Sequence, residues 1–364
     1  MPKVRNQKIK ICYVAGREAA YSRTRTMIYA MQQAGFEVVT CLPPNLPAQA
    51  GKSFKNYPRV IWEFLKKKRG CDLVVVGFYG QLLLPLVWLF TRKPILFDVY
   101  ISTFGTMIHD REKDSKSGLK AKLFWLSDHI SMKLAKRIII ESRHHIRVYS
   151  QMFNIPESKF RHIFLATDPA VMRPKTTRES NGKFLVHFHG EYAPFHGVQY
   201  ILHAADLLRD SDVEFQIIGK GITYERDMQL VKKLNLKNCR FIDWVPYDQL
   251  ADYMSCADCC LGFFGENPRA TRVFTNKVVE TLAVGRPLIT CKNEPVQELL
   301  KDGESALLVE RANPQAIADA IRKLREDAAL RTQLAQKGHE RFLQNCTLEV
   351  FSQKLKNVIE EMLN

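Results

Sequence analysis

Strand-length apolar runs and segments of helical spacing alternate along almost the whole chain. Residues 8–15 read as a buried strand, 22–34 as a helix and 36–41 as the next strand. Residues 60–69 read as the end of an amphipathic helix, and strands at 72–78 and 94–100 flank an apolar helix at 81–90. That helix is apolar nearly all round, which suits deep burial or partial contact with lipid. After Tyr100 comes a long polar loop, then a helix at 119–135, a strand at 137–141, a helix at 143–153 and a strand at 160–165. The alternation restarts with a strand at 184–189 and a helix at 197–209, followed by strands at 214–219 and 239–245. A helix at 247–255 and a strand at 259–264 come next. After Thr275 the pattern continues through helices and short strands, with helices at 314–325, 328–344 and 348–362 closing it.

Such alternation, halved by a proline-containing passage between 164 and 182, predicts an α/β protein of two Rossmann-like domains facing across a cleft. We expect domains at 1–176 and 177–346, with 347–364 as a final helix. The length of 364 residues gives each half enough chain for its own core.

Composition adds little, but charge adds a good deal. The content is globular, 46% hydrophobic and 25% charged. Residues 1–176 hold 30 Lys+Arg against 12 Asp+Glu, a net +18, while the remainder carries a net −2. A basic first half calls for an anionic partner: nucleic acid, a membrane surface or an acidic substrate. The cluster Lys66, Lys67, Lys68 and Arg69 beside Trp62 and Phe64 suits an anionic lipid surface, or simply a solvated helix end favoured by its dipole. Nucleic acid ranks last, because no aromatic-interleaved basic motif or helix-turn-helix pattern is present. The basic N-terminus has too short an apolar run for a signal peptide, and a cytoplasmic protein is expected. Scattered cysteines suit a reducing compartment, and Cys256, Cys259 and Cys260 lack a second pair at zinc spacing. His187 and His189 share a strand face but have no third candidate ligand, so no metal is expected.

The chemistry concentrates in residues 262–290, GFFGENPRATRVFTNKVVETLAVGRPLIT. Thr275 is placed to cap a helix whose apolar face carries Val278, Leu282 and Ala283, and Gly285 stops it. Arg269 and Arg272 precede the helix and Lys277 lies in its first turn, so a phosphate or diphosphate is expected at its exposed amides. Glu280, one turn on, suits a pair of sugar hydroxyls.

This segment resembles the donor site of the retaining glycosyltransferases of family 4, which have the two-domain GT-B fold. A bacterial-type subgroup with R-A-x-R-V-x-x-N-K ahead of the glutamate is similar to Arg269–Glu280; where the family usually has an earlier glutamate, this chain has Arg272. The resemblance implies a metal-independent enzyme without cofactor. It would move a sugar from a nucleotide-diphospho-sugar, UDP or GDP type, to a saccharide or lipid-linked acceptor at the inner membrane face. It implies ribose binding by Glu280 and diphosphate binding by helix-start amides. Arg272, Lys277 and Glu266 become the catalytic candidates, with Gly190, Glu191, His196, Arg269 and Asn276 completing the donor site. The family usually has Arg and Lys at the positions of Glu191 and His196, while Pro194, His196 and Gly197 match the subgroup's P-x-H-G. In the first half, Tyr21–Arg25 resembles a Ser-Arg element. Gly16, Arg17, Arg23, Asp98, Ser102 and His109 are the acceptor or inter-domain candidates. The last helix is expected to cross back to the first domain. A nucleotide-sugar epimerase of the same fold is the alternative activity.

Overall fold

The computed structural model describes residues 8–44, 54–110, 118–175 and 182–364. They form two compact units. The first holds the described residues up to Ile108, those from 118 to Ala166, and Leu348–Asn364; the second holds residues 109–110 and Thr167–Thr347. The division therefore falls at Ala166 rather than at 176, and residues 176–181 of the expected linker lie outside the described residues.

In the first unit the order is β1 (Lys10–Val14), α1 (Ser22–Gln33), β2 (Glu37–Cys41), α2 (Tyr57–Lys67), β3 (Leu73–Val76) and α3 (Leu83–Leu89). Then come β4 (Ile95–Asp98), α4 (Leu119–Leu134), β5 (Arg137–Ile140), α5 (Arg143–Phe153) and β6 (Phe160–His162). The six strands are parallel in the order β2-β1-β3-β4-β5-β6. Alternate strand residues feed two cores: Val74, Val76 and Phe97 pack with α2, α3 and α5, while Ile11, Tyr13 and Val75 pack with α1 and the C-terminal helix. The loop expected after Tyr100 contains a short π-helix, Gly105–Asp110, and residues 111–117 lie outside the described residues.

The second unit runs β7 (Phe184–His189), α6 (Val198–Leu207), β8 (Val213–Ile218), α7 (Tyr224–Leu234), β9 (Cys239–Ile242), α8 (Tyr247–Ser255) and β10 (Cys259–Leu261). It continues with α9 (Asn276–Val284), β11 (Leu288–Cys291), α10 (Glu294–Gln297), β12 (Leu307–Val309), α11 (Pro314–Glu326) and α12 (Ala328–Asn345). Its parallel sheet has the order β12-β11-β10-β7-β8-β9. The elements expected from the sequence leave out α7, although Tyr224, Met228, Val231 and Leu234 recur at helical spacing along it; they are only half-buried, and Asp227 is its one fully buried residue. The chain ends in α13 (Leu348–Leu363), which belongs to the first unit and packs on α1 through Phe351, Leu355 and Ile359.

Strand order reverses between β7 and β10, so connections leave these two neighbours toward opposite sides of the sheet. The crevice at their carboxyl ends is where open parallel sheets take ligands.

Candidate functional site

Gly190 follows β7 at that reversal, with φ of 143°, a region other residues avoid. A Cβ there would also stand 2.8 Å from Lys277 Nζ, so the backbone of the turn and the lysine need each other's space. Lys277 is the second residue of α9 and is 4% exposed. Its ammonium lies 4.5 Å from the centre of the Phe188 ring and has no hydrogen-bond partner among the described residues. Burial pushes its pKa down to about 7, against the opposing pull of Glu280 and Glu191.

Thr275 occupies the N-cap position with extended backbone, but its hydroxyl makes no cap bond, contrary to expectation; it too is buried with no partner among the described residues. The helix start thus carries unpaired N–H groups, a buried unpaired cation and a buried unpaired hydroxyl, with no acid in the first turn. Burying such groups unpaired costs free energy that an anionic ligand would return.

One turn on, Glu280 is buried and held from both sides. Tyr247 OH donates to its Oε1 at 3.0 Å, and His189 Nε2 lies 3.0 Å from its Oε2. Behind His189 runs a chain whose proton order is set by its ends. Gln216 Nε2 donates to the Tyr253 carbonyl at 3.4 Å, which identifies it as the amide nitrogen. It therefore also donates to His187 Nδ1 at 3.0 Å. His187 then carries its proton on Nε2 and donates to His189 Nδ1 at 3.0 Å, and His189 Nε2–H donates to the carboxylate. Burial holds the His187 pKa well below the usual histidine range, helped by His189 and Lys277. The histidine pair is thus a hydrogen-bonded relay, and among the described residues no group of three or more His, Cys, Asp or Glu could hold a metal ion.

The other cations do not converge on the helix start as the sequence suggested. Arg269 donates to Asp110 Oδ2 at 2.7 Å and stacks over the Phe195 ring at 4.3 Å. Asp110, part of the same unit, also accepts from Asn267 Nδ2 at 2.8 Å and Phe195 N at 3.1 Å. Arg272 donates from Nε to the Pro268 carbonyl at 2.9 Å, within its own turn. Glu266 is exposed, and Asn276 opens α9 half-buried. The 190–197 turn is closed by His196 Nδ1 donating to the Glu191 carbonyl. Burial and the neighbouring Lys277 keep the His196 pKa well below its usual range, so it brings no compensating charge.

The first-unit candidates are largely committed to structure. Arg23, an acceptor or inter-domain candidate from the sequence, is buried and donates from Nε and Nη2 to Asp98 at 2.9 and 2.8 Å. Ser102 Oγ donates to Asp128 at 2.9 Å and accepts from Gly105 N at 2.7 Å, which anchors the π-helix. Arg17 pairs with Glu18 at 3.0 Å and lies over Tyr21 at 4.2 Å. Gly16 sits at the strand-order reversal of its own sheet, where a Cβ would meet Tyr79 Cβ at 2.7 Å. The side chain of His109 lies outside the described residues.

Residues 183–327 match the family model of Glycosyl transferases group 1. The uncharacterized glycosyltransferase MJ1178 of Methanocaldococcus jannaschii is 28% identical over 176 residues, 48% of this chain and 47% of that protein. The chain thus spans about half the length of this curated relative. Among solved structures, sucrose-phosphate synthase from Thermosynechococcus elongatus superposes with a TM-score of 0.80 at 16% identity, covering 98% of this chain and 99% of that one. Anabaena HepE in complex with UDP and glucose gives 0.68 at 15% identity, covering 97% and 100%. The fold, two Rossmann-like α/β domains, is that of the GT-B structures, and residues 183–327 are similar to the group 1 glycosyl transferases.

Proposed function

We propose that the chain is a retaining, metal-independent glycosyltransferase that takes a sugar from a nucleoside-diphosphate donor and passes it to a saccharide or lipid-linked acceptor. One observation carries this reading: Lys277, buried and unpaired at the start of α9, has Glu280 held ready one turn behind it. The spacing fits a ligand that is anionic at one end and rich in hydroxyls at the other. A diphosphate on the α9 amides and Lys277 would place its ribose hydroxyls near Glu280, whose two oxygens have four lone-pair directions and use two on Tyr247 and His189.

In this mechanism Lys277 and the helix-start N–H groups stabilise charge on the departing nucleoside diphosphate, with Arg272 as an outer cation. Holding the reacting groups in one orientation supplies much of the remaining rate. Retention, as the resemblance implies, is served by attack from the face that the leaving group quits. The group 1 family match and the UDP in the HepE structure support a nucleoside-diphosphate donor. The basic first unit suits an anionic acceptor, or one presented at the anionic inner face of a membrane.

The test is release of nucleoside diphosphate from a panel of nucleotide sugars, with and without candidate acceptors, by wild type and by Lys277→Met. Acceptor-dependent release that the substitution removes supports the reading. Release of no diphosphate from any donor, by a protein that also binds none, overturns it.

A further inference from the structure

The helices α2, α3 and α4 lie on one side of the first sheet, since Phe64, Leu84 and Met132 join one core beneath them. Helix α2 packs on α3 and α3 on α4, so their outer faces make one continuous surface. That surface carries two apolar stripes of identical spacing. Leu82, just ahead of α3, and Leu86 and Leu89 within it stand at i, i+4, i+7; Leu119, Leu123 and Leu126 run along α4 with the same spacing. All six are exposed, Leu89 by 64% and Leu119 by 75%. Trp62 on α2, 58% exposed, and the exposed Trp88 and Phe90 extend the patch. Scattered exposed leucines are ordinary, but two adjacent stripes flanked by tryptophans are a contiguous patch that asks for a partner.

Charge selects the partner. Between residues 54 and 93 stand eight Lys and Arg against two acids, Glu63 and Asp72. Lys66 Nζ lies 4.7 Å from the Trp62 ring, and Lys68 reaches over to the carbonyl of Phe90. Lys120 and Lys122 alternate with Leu119 and Leu123. A second copy of the chain would bring the same cations against these, which like-charge repulsion opposes. An anionic bilayer satisfies both parts: leucines and indole rings enter the headgroup boundary while the lysines reach lipid phosphates. Among the described residues no helix is long and apolar enough to cross a membrane, so the fit is to a bilayer surface.

We infer that the outer face of α2, α3 and α4 docks the first unit on an anionic lipid bilayer. This deepens the proposed function, on which it rests only for its purpose: the surface would bring the enzyme to a lipid-linked acceptor.

The test is co-sedimentation of the whole chain with vesicles of phosphatidylglycerol and phosphatidylcholine, or of phosphatidylcholine alone, at low and high salt. The expected result is binding to the anionic vesicles only, weakened by salt, with tryptophan emission quenched by brominated lipid. Leu86→Glu with Leu123→Glu should weaken binding by about 10-fold or more, whereas Leu86→Phe with Leu123→Phe should keep it. Lys66→Ala with Lys122→Ala should weaken it and flatten its salt dependence. Three results overturn the inference: no binding to anionic vesicles at low salt, binding indifferent to the glutamates, or a wild-type dimer that the glutamates dissociate. UDP binding, measured on the same proteins, separates the two readings. Vesicle binding without UDP binding would leave the docking surface and remove the donor site.

Discussion

His189 Nε2 and Glu280 Oε2 lie 3.0 Å apart, both side chains buried, at the end of a hydrogen-bonded chain that starts at Gln216. The carboxylate is therefore held by fixed donors before any ligand arrives, and His189 is a positioning residue. His189→Phe removes one donor and should cost about 1–3 kcal/mol of stability. Nucleoside affinity should fall with it, and His189→Gln, which keeps an N–H donor, should recover part of both. Thermal melts and calorimetry with UDP and uridine check this. Full binding by a folded His189→Phe would separate the chain from the site.

Glu280→Gln keeps size but loses the charge assistance of its bonds to ribose hydroxyls, worth about 1.5–3 kcal/mol in all. We expect donor affinity to fall about 10- to 100-fold. A folded variant with unchanged affinity would take Glu280 out of the ribose contact.

Arg272 and Arg269 should part company. Arg269 is neutralised by Asp110, so Arg269→Met should destabilise the second unit while affecting binding little directly. Arg272→Ala should weaken a nucleoside diphosphate and leave the free nucleoside almost unchanged. Equal losses for the two ligands would make Arg272 structural, and Glu266 would become the stronger sugar contact.

The lysine makes a signed prediction about pH. Its pKa is about 7 in the folded chain, against 10.5 as the ordinary value. Between these values the unfolded chain binds the extra proton, so this residue makes stability rise with pH across that window. Lys277→Met should flatten the rise and stabilise the protein near pH 6, where the buried charge is fully present. Diphosphate binding must return the proton, so above pH 7 wild-type affinity should fall by about tenfold per unit, while the Met variant stays flat. Calorimetry from about pH 7 to about 9 with UDP, whose terminal phosphate titrates near pH 6, checks the sign; affinity rising with pH in that window would refute it.

Local elements were largely legible because their patterns are local. The spans Arg143–Phe153, Phe184–His189 and Tyr247–Ser255 are those read from the sequence. What escaped depends on partners distant along the chain. The relay needs the parallel register that sets His187 beside Gln216, and neither residue announces it. Arg23 reads as an acceptor or inter-domain candidate until Asp98, 75 residues on, claims it. Arg269 likewise reads as a phosphate ligand until Asp110 neutralises it, which leaves Lys277 as the buried cation at the helix start. The Leu82 stripe was visible as an apolar helix, but only packing against α4 shows which of its faces is left outside.

Lys277 stands ready for a diphosphate, buried and without a hydrogen-bond partner among the described residues. Calorimetric titration of UDP and GDP into wild type and Lys277→Met at pH 7 addresses this role most directly. Wild type is expected to bind at least one of them, with affinity about 10- to 100-fold weaker in a variant that melts no lower. Equal affinity in the two proteins, or no binding of either nucleotide by wild type, would contradict it.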